Sequence, residues 1–126
     1  MKEERKPIEI SITVLKKNLN LIATIQEWAE FMCYENSKLF SRHFIRYFHA
    51  TPIKVLIEVR IKSIIKELKR NSYTCRQIAS HHSLPDEKAL NSFMKRHLGK
   101  PPTRIRNMSK EDSLKLMEKK RSNIKE

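Results

Sequence analysis

Residues 78–106, IASHHSLPDEKALNSFMKRHLGKPPTRIR, bring His81, His82, Asp86, Glu87 and His97 within about five helical turns of one another. Such a set offers two chemistries: a metal or acid/base centre, or a helix-turn-helix whose cations and amides touch DNA. The first is poorly served by the spacing. His81 and His82 are sequence neighbours, which a helix points about 100° apart, whereas a shared metal prefers the i, i+4 relation. His97 follows Asp86 by about three turns, on a helix whose charged side is expected to face phosphate. Cys75 has His81 downstream but no third group to orient a nucleophilic pair. Surface or DNA-proximal histidines are therefore expected, with no metal, no cofactor and no catalytic residue, and an enzyme is rejected.

The charge points to the second chemistry. Among 126 residues, 27 Lys and Arg stand against 14 Asp and Glu, a net charge of +13. That excess goes far beyond what solubility needs and implies a polyanionic partner. The length corresponds to about one domain of ordinary size, or two small cores sharing a helix. A single glycine, Gly99, excludes a P-loop and a dinucleotide fingerprint together. Cys33 and Cys75 form no CxxC or short Cys/His zinc spacing, so both are expected as reduced, core or half-buried thiols. No apolar run approaches the ~18 residues of a spanning helix, and MKEERKPIEI has no signal-peptide hydrophobic region. A cytoplasmic protein without a membrane partner is expected.

The elements that must carry this charge are legible in a repeat. Thr24, Ala29, Lys38, Arg46 and Pro52 recur as Thr74, Ala79, Lys88, Arg96 and Pro102, each shifted by fifty positions without a gap. Apolar character recurs at the same offset, pairing Trp28 with Ile78, Tyr34 with Leu84, Phe40 with Leu90, Phe44 with Met94 and Phe48 with Leu98. In each copy the threonine caps a short helix, and the alanine lets a second helix approach closely. Asn36 and Asp86 then cap longer helices ending near Phe48 and Leu98. Phe40, Phe44 and Phe48, like Leu90, Met94 and Leu98, lie at i, i+4, i+8 and form the buried stripe. The opposite sides, Lys38, Ser41, Arg42 and Ile45 in the first copy and Lys88, Asn91, Ser92 and Lys95 in the second, are the faces available to DNA.

Pro52 starts a long helix expected to reach about Arg70, with Ile53, Leu56, Ile57, Ile61, Ile64 and Leu68 on its apolar face. Arg60 falls inside that stripe and needs a partner, Asp86 or a helix-end carbonyl. Upstream, Ile12, Leu15, Leu19 and Ile22 predict a helix over about residues 11–21 capped by Ser11. The alternation of Ile8, Ile10, Ile12 and Val14 leaves a short strand pairing with another chain as the alternative. Beyond Arg106, Ser109 with Asp112 resembles a capping pair, and Leu114, Met117 and Ile124 mark a sparse apolar edge.

IASHHSLPDEKALNSFMKRHLGKPPTRIR resembles the second half of the DNA-binding domain of the arabinose-regulator (AraC/XylS) transcription factors, and TIQEWAEFMCYENSKLFSRHFIRYFHATPIKVLIEVR resembles its first half. The resemblance spans Thr24 to Arg106, and Ile78, Ala79, Leu84, Asp86, Leu90, Met94, Lys95, Arg96, Gly99, Pro102 and Arg106 stand at the family's spacing. It implies an all-α fold of two homeodomain-like, three-helical helix-turn-helix units joined by a long linker helix. It also implies a bacterial regulator that reads two successive major grooves of double-stranded DNA and has RNA polymerase as a protein partner. Carried over by position, the base-reading residues are Lys38, Ser41, Arg42, Lys88, Asn91 and Ser92. Phosphate contacts fall to Arg46, Lys95, Arg96 and Arg104. The chemistry agrees: Arg and Lys bond guanine O6/N7, Asn bonds adenine N6/N7, and cations neutralise phosphates.

Departures from the family pattern are His49 and Ser83 at positions that usually carry glycine, Ser92 where a long Arg is common, and a first turn one residue longer than usual. The organisation expected is an N-terminal segment with a first helix (1–23), a first helix-turn-helix unit (24–52), a linker helix (53–70), a second unit (71–106) and a basic, partly helical tail (107–126). The chain acts either as a monomer on DNA or as the output domain of a larger dimeric regulator. The competing function is a non-specific nucleic-acid or nucleoid binder, for which the charge alone suffices.

Overall fold

Side chains that satisfy backbone N–H groups open four of the seven helices found among the described residues: Thr24, Asn36, Thr74 and Asp86 each accept from the residue three positions on. The computed structural model describes residues 4–70 and 72–108, together with Asp112 and Lys115. A 3-10 turn at Ile8–Ile10 leads into α1 (Ser11–Lys17), α2 (Ile25–Phe31), α3 (Ser37–Phe48), α4 (Pro52–Arg70), α5 (Cys75–His81), α6 (Glu87–Leu98) and α7 (Pro102–Asn107), with no strand among the described residues. The chain divides into two units, Met1–Val59 and Arg60–Glu126, and the division falls inside α4.

In the first unit Trp28, Phe40 and Phe44 form the centre of a core completed by Leu15, Ile22, Met32, Leu56 and Val59. The rings of Trp28 and Phe44 meet edge to face at 5.1 Å, an arrangement that adds to the burial itself. The Trp28 indole donates to the Ser11 carbonyl at 3.0 Å, which leaves the buried N–H satisfied. In the second unit Ile61, Ile64, Ile65, Leu68, Ile78, Leu90, Phe93, Met94, Leu98 and Ile105 are buried. The C-terminal half of α4 thus belongs to this core as its N-terminal half belongs to the other.

Three expectations need correction. Helix α1 ends at Lys17, not near Leu21, because Asn18 leaves helical geometry and its amide caps the Val14 carbonyl at 2.8 Å. Ser11 is not the N-cap of α1: it is a buried helical residue that closes the preceding 3-10 turn, its hydroxyl donating back to the Ile8 carbonyl at 2.7 Å. On α4 the expected stripe holds at Leu56, Ile61, Ile64 and Leu68, but Ile53 is exposed and Val59 and Ile65 are buried as well, so the stripe starts later and is wider than expected. The structure also adds α7, which no periodicity announced; it closes the second core with Ile105 and begins at Pro102, at the first helical position where proline needs no donor. The tail reading built on Ser109, Leu114, Met117 and Ile124 lies outside the described residues.

Candidate nucleic-acid interface

The same hydrogen-bond scheme builds a helix, a tight turn and a second helix in each unit. Thr24 and Glu27 form a reciprocal capping box at the start of α2, and Thr74 and Gln77 form one at the start of α5. The turns occupy residues 32–36 and 82–86, equal in length. In both, the alanine carbonyl of the first helix receives the N–H of the apolar residue that ends the bend, Tyr34 to Ala29 at 3.0 Å and Leu84 to Ala79 at 2.9 Å. One residue earlier the backbone is left-handed, at Cys33 and Ser83 with φ 62° each. Longer side chains at Ala29 and Ala79, both buried, would hold the helices apart.

Asn36 Oδ1 accepts from Leu39 N, and Asp86 Oδ1 from Ala89 N, both at 2.8 Å. These caps orient α3 and α6 so that Phe40 and Phe44, or Leu90 and Met94, point inward. Their C-termini close alike, His49 at φ 58° and Gly99 at φ 76°, donating to Ile45 and Lys95 carbonyls. His49 and Ser83 therefore adopt the left-handed backbone directly, at a steric cost that glycine avoids.

With the stripes sealed, the other sides of α3 and α6 are open. Lys38 and Arg42 are exposed in the first unit, with Ser41 half-buried beside them; Lys88 and Ser92 are exposed in the second, with Asn91 half-buried. Arg46, Lys95, Arg96 and Arg104 are all exposed. Each unit thus carries a cationic helix face with short polar side chains at its edge, a combination suited to phosphate neutralisation with hydrogen bonds to base edges.

One histidine needs correction. His82 is not on the surface; it is 1% exposed, with Nδ1 against the Ile78 carbonyl and Nε2 against the Ser63 hydroxyl, both at 2.7 Å. Burial lowers its pKa from the ordinary 6.5, opposed by the Ile78 carbonyl and Glu67. His81 is half-buried, packs edge-on against Tyr73 and pairs with Glu67 at 3.0 Å. His97 is half-buried against Phe93. His81 and His82 tie the end of α5 to α4 through Glu67 and Ser63, whereas His97 packs on its own helix. Arg60 is buried as its place in the apolar stripe implied, and its guanidinium lies over the Phe93 ring at 5.6 Å, while the Asp86 carboxylate caps α6.

Two contributors escaped the sequence. Arg5 grips Glu35 through two nitrogens, at 3.0 and 3.2 Å, and lies over the Tyr34 ring. Lys6 donates its backbone N–H to Met32 O at 3.0 Å and its ammonium to Phe31 O at 3.1 Å. The segment before α1 therefore clasps the first unit's turn across about 30 residues of chain, a separation that local patterning does not encode.

The family described as helix-turn-helix domain matches residues 23–108. Among solved structures, the DNA-binding domain of AdpA, a global transcriptional factor crystallised with a target DNA, is 21% identical with a TM-score of 0.66, covering 80% of this chain and 90% of that one. The C-terminal domain of AraT, a response regulator from Geobacillus stearothermophilus, is 18% identical with a TM-score of 0.69, covering 86% and 93%. A DNA-binding transcriptional dual regulator from Escherichia coli K-12 is 14% identical with a TM-score of 0.63, covering 89% and 96%. No curated protein matches the chain. No helix among the described residues is long and apolar enough to cross a membrane.

Proposed function

The chain belongs to the AraC-type helix-turn-helix family of DNA-binding domains, and from that premise we propose that it binds double-stranded DNA sequence-specifically as a bacterial transcription regulator. The observation that carries this reading is the duplicated turn that leaves a cationic face on each second helix, at Lys38, Arg42 and Arg46 on α3 and at Lys88, Lys95 and Arg96 on α6. The AdpA domain crystallised with its target DNA supports duplex DNA as the partner.

In this reading α3 and α6 enter successive major grooves. Lys38, Ser41 and Arg42 read bases in one, and Lys88, Asn91 and Ser92 read them in the other. Arg46, Lys95, Arg96 and Arg104 hold phosphates. Ser92 is too short for a bidentate contact, so the first unit contributes more of the base discrimination. The workplace is the cytoplasm, RNA polymerase is the protein partner, and the chain acts as a monomer on DNA or as the output domain of a larger dimeric regulator.

Selection of preferred sites from random duplexes, followed by competition with unrelated DNA at fixed salt, tests the reading. A specific regulator enriches an asymmetric site of roughly two helical turns and prefers it by about 10³ or more. Equal competition by unrelated DNA would establish the non-specific nucleoid binder instead. Solution mass measured alongside the footprint separates the monomer from the dimeric regulator.

A further inference from the structure

We infer that Ile45 reads a thymine, packing its branched side chain on the C5-methyl group in the major groove occupied by α3. This rests on the DNA-reading function proposed above. Ile45 is 43% exposed, although the stripe of the same helix that faces the core, Phe40 and Phe44, is completely buried. It stands one turn after Ser41 and three residues after Arg42, on the side that carries the exposed cation Lys38.

A single exposed apolar residue is ordinary on a protein surface; one set among cations on a groove-reading face is not. Lys38, Arg42 and Arg46 are all exposed, and each can hold a phosphate or a guanine. The repeat supplies the contrast, because the residue equivalent to Ile45 in the second unit is Lys95. The first unit has an aliphatic group where its copy has a charge.

The major groove offers one group that rewards an aliphatic side chain, the thymine methyl. A β-branched residue suits the task, since its χ1 is nearly fixed in a helix and its methyl groups are presented without much ordering cost. Ser41, one turn before, is short enough to leave the base edge beside Ile45 unobstructed.

The test uses the full chain and the duplex obtained by selection. Each thymine in the half bound by the first unit is replaced in turn by deoxyuridine, which removes the methyl group and leaves pairing and O4 intact. One position should lose about fourfold in affinity, the effect of a buried methyl-sized group. That loss should vanish in Ile45→Ala, and in Ile45→Lys, which should also steepen the salt dependence by about one phosphate contact. Circular dichroism melting reports that each variant is folded, and Ile45→Lys serves if the alanine variant is not. Tolerance of deoxyuridine at every position, or a methyl effect unchanged in the folded variants, would overturn the inference while leaving the DNA-reading function intact. Failure of any sequence to be enriched would overturn both.

Discussion

The Nε2 of His82 lies 2.7 Å from the Ser63 hydroxyl, and its Nδ1 lies 2.7 Å from the Ile78 carbonyl. A carbonyl only accepts, so Nδ1 carries the proton, and in the neutral ring that burial favours Nε2 receives the serine hydroxyl. This neutral imidazole joins α4 to α5 inside the second unit. The charged groups facing it are Glu67, 3.8 Å from Nδ1, with His81 and Arg60 nearby.

A pH dependence follows from that burial. The unfolded chain takes up a proton near pH 6.5, whereas folded His82 does so at a lower value. Its contribution is full above 6.5 and is lost as pH falls through the folded pKa, with a limiting slope of about 1.4 kcal/mol per pH unit. Urea denaturation of the wild type from about pH 7.5 to 5 should show this loss, and His82→Leu should flatten it. Parallel profiles for the two proteins would exclude His82 as the cause.

Left-handed backbone makes a mirrored pair of substitutions informative. Gly99 stands at φ 76° with nothing within 4 Å of an added Cβ, so Gly99→Ala should cost about 1 kcal/mol through backbone conformation alone. His49→Gly, at φ 58° on an exposed residue, should stabilise by up to about 1 kcal/mol, reduced by the freedom glycine adds to the unfolded chain. Thermal melting of both variants checks the signs; stabilisation by Gly99→Ala would contradict the account.

Phe44 is completely buried, with ring centroids 5.1 Å from Trp28, 5.7 Å from Phe40 and 4.5 Å from Phe48. Phe44→Ala should destabilise the first unit by ~3–5 kcal/mol. Base preference should survive in the fraction still folded, measured by competition at low temperature, because the residue faces away from the reading side.

Reading and holding should separate at Arg42 and Arg96. Arg42→Ala is expected to cost ~1–3 kcal/mol on the preferred site and relax preference at one or two base pairs. Arg96→Ala should weaken all sequences alike and lower the salt slope by about one phosphate contact. If Arg96→Ala alters preference while Arg42→Ala leaves it unchanged, the register of the helices on DNA is wrong. The equal turn lengths at 32–36 and 82–86 would then direct attention to the helix starts.

Local chemistry is what the amino-acid sequence determined by itself. Caps at Thr24, Asn36, Thr74 and Asp86, the i, i+4, i+8 stripes and the exposed cations are properties of near neighbours, and the fifty-residue repeat showed each of them twice. Even α7 was within reach, since Pro102 repeats Pro52 and both begin helices. Tertiary structure alone decided the rest. The burial of His82 depends on Ser63 from another helix, and the clasp of Arg5 on Glu35 joins residues far apart in sequence. Neither periodicity nor residue type distinguishes a histidine that will meet solvent from one that another helix will enclose; only the packed neighbours determine which polar groups lose water and find partners.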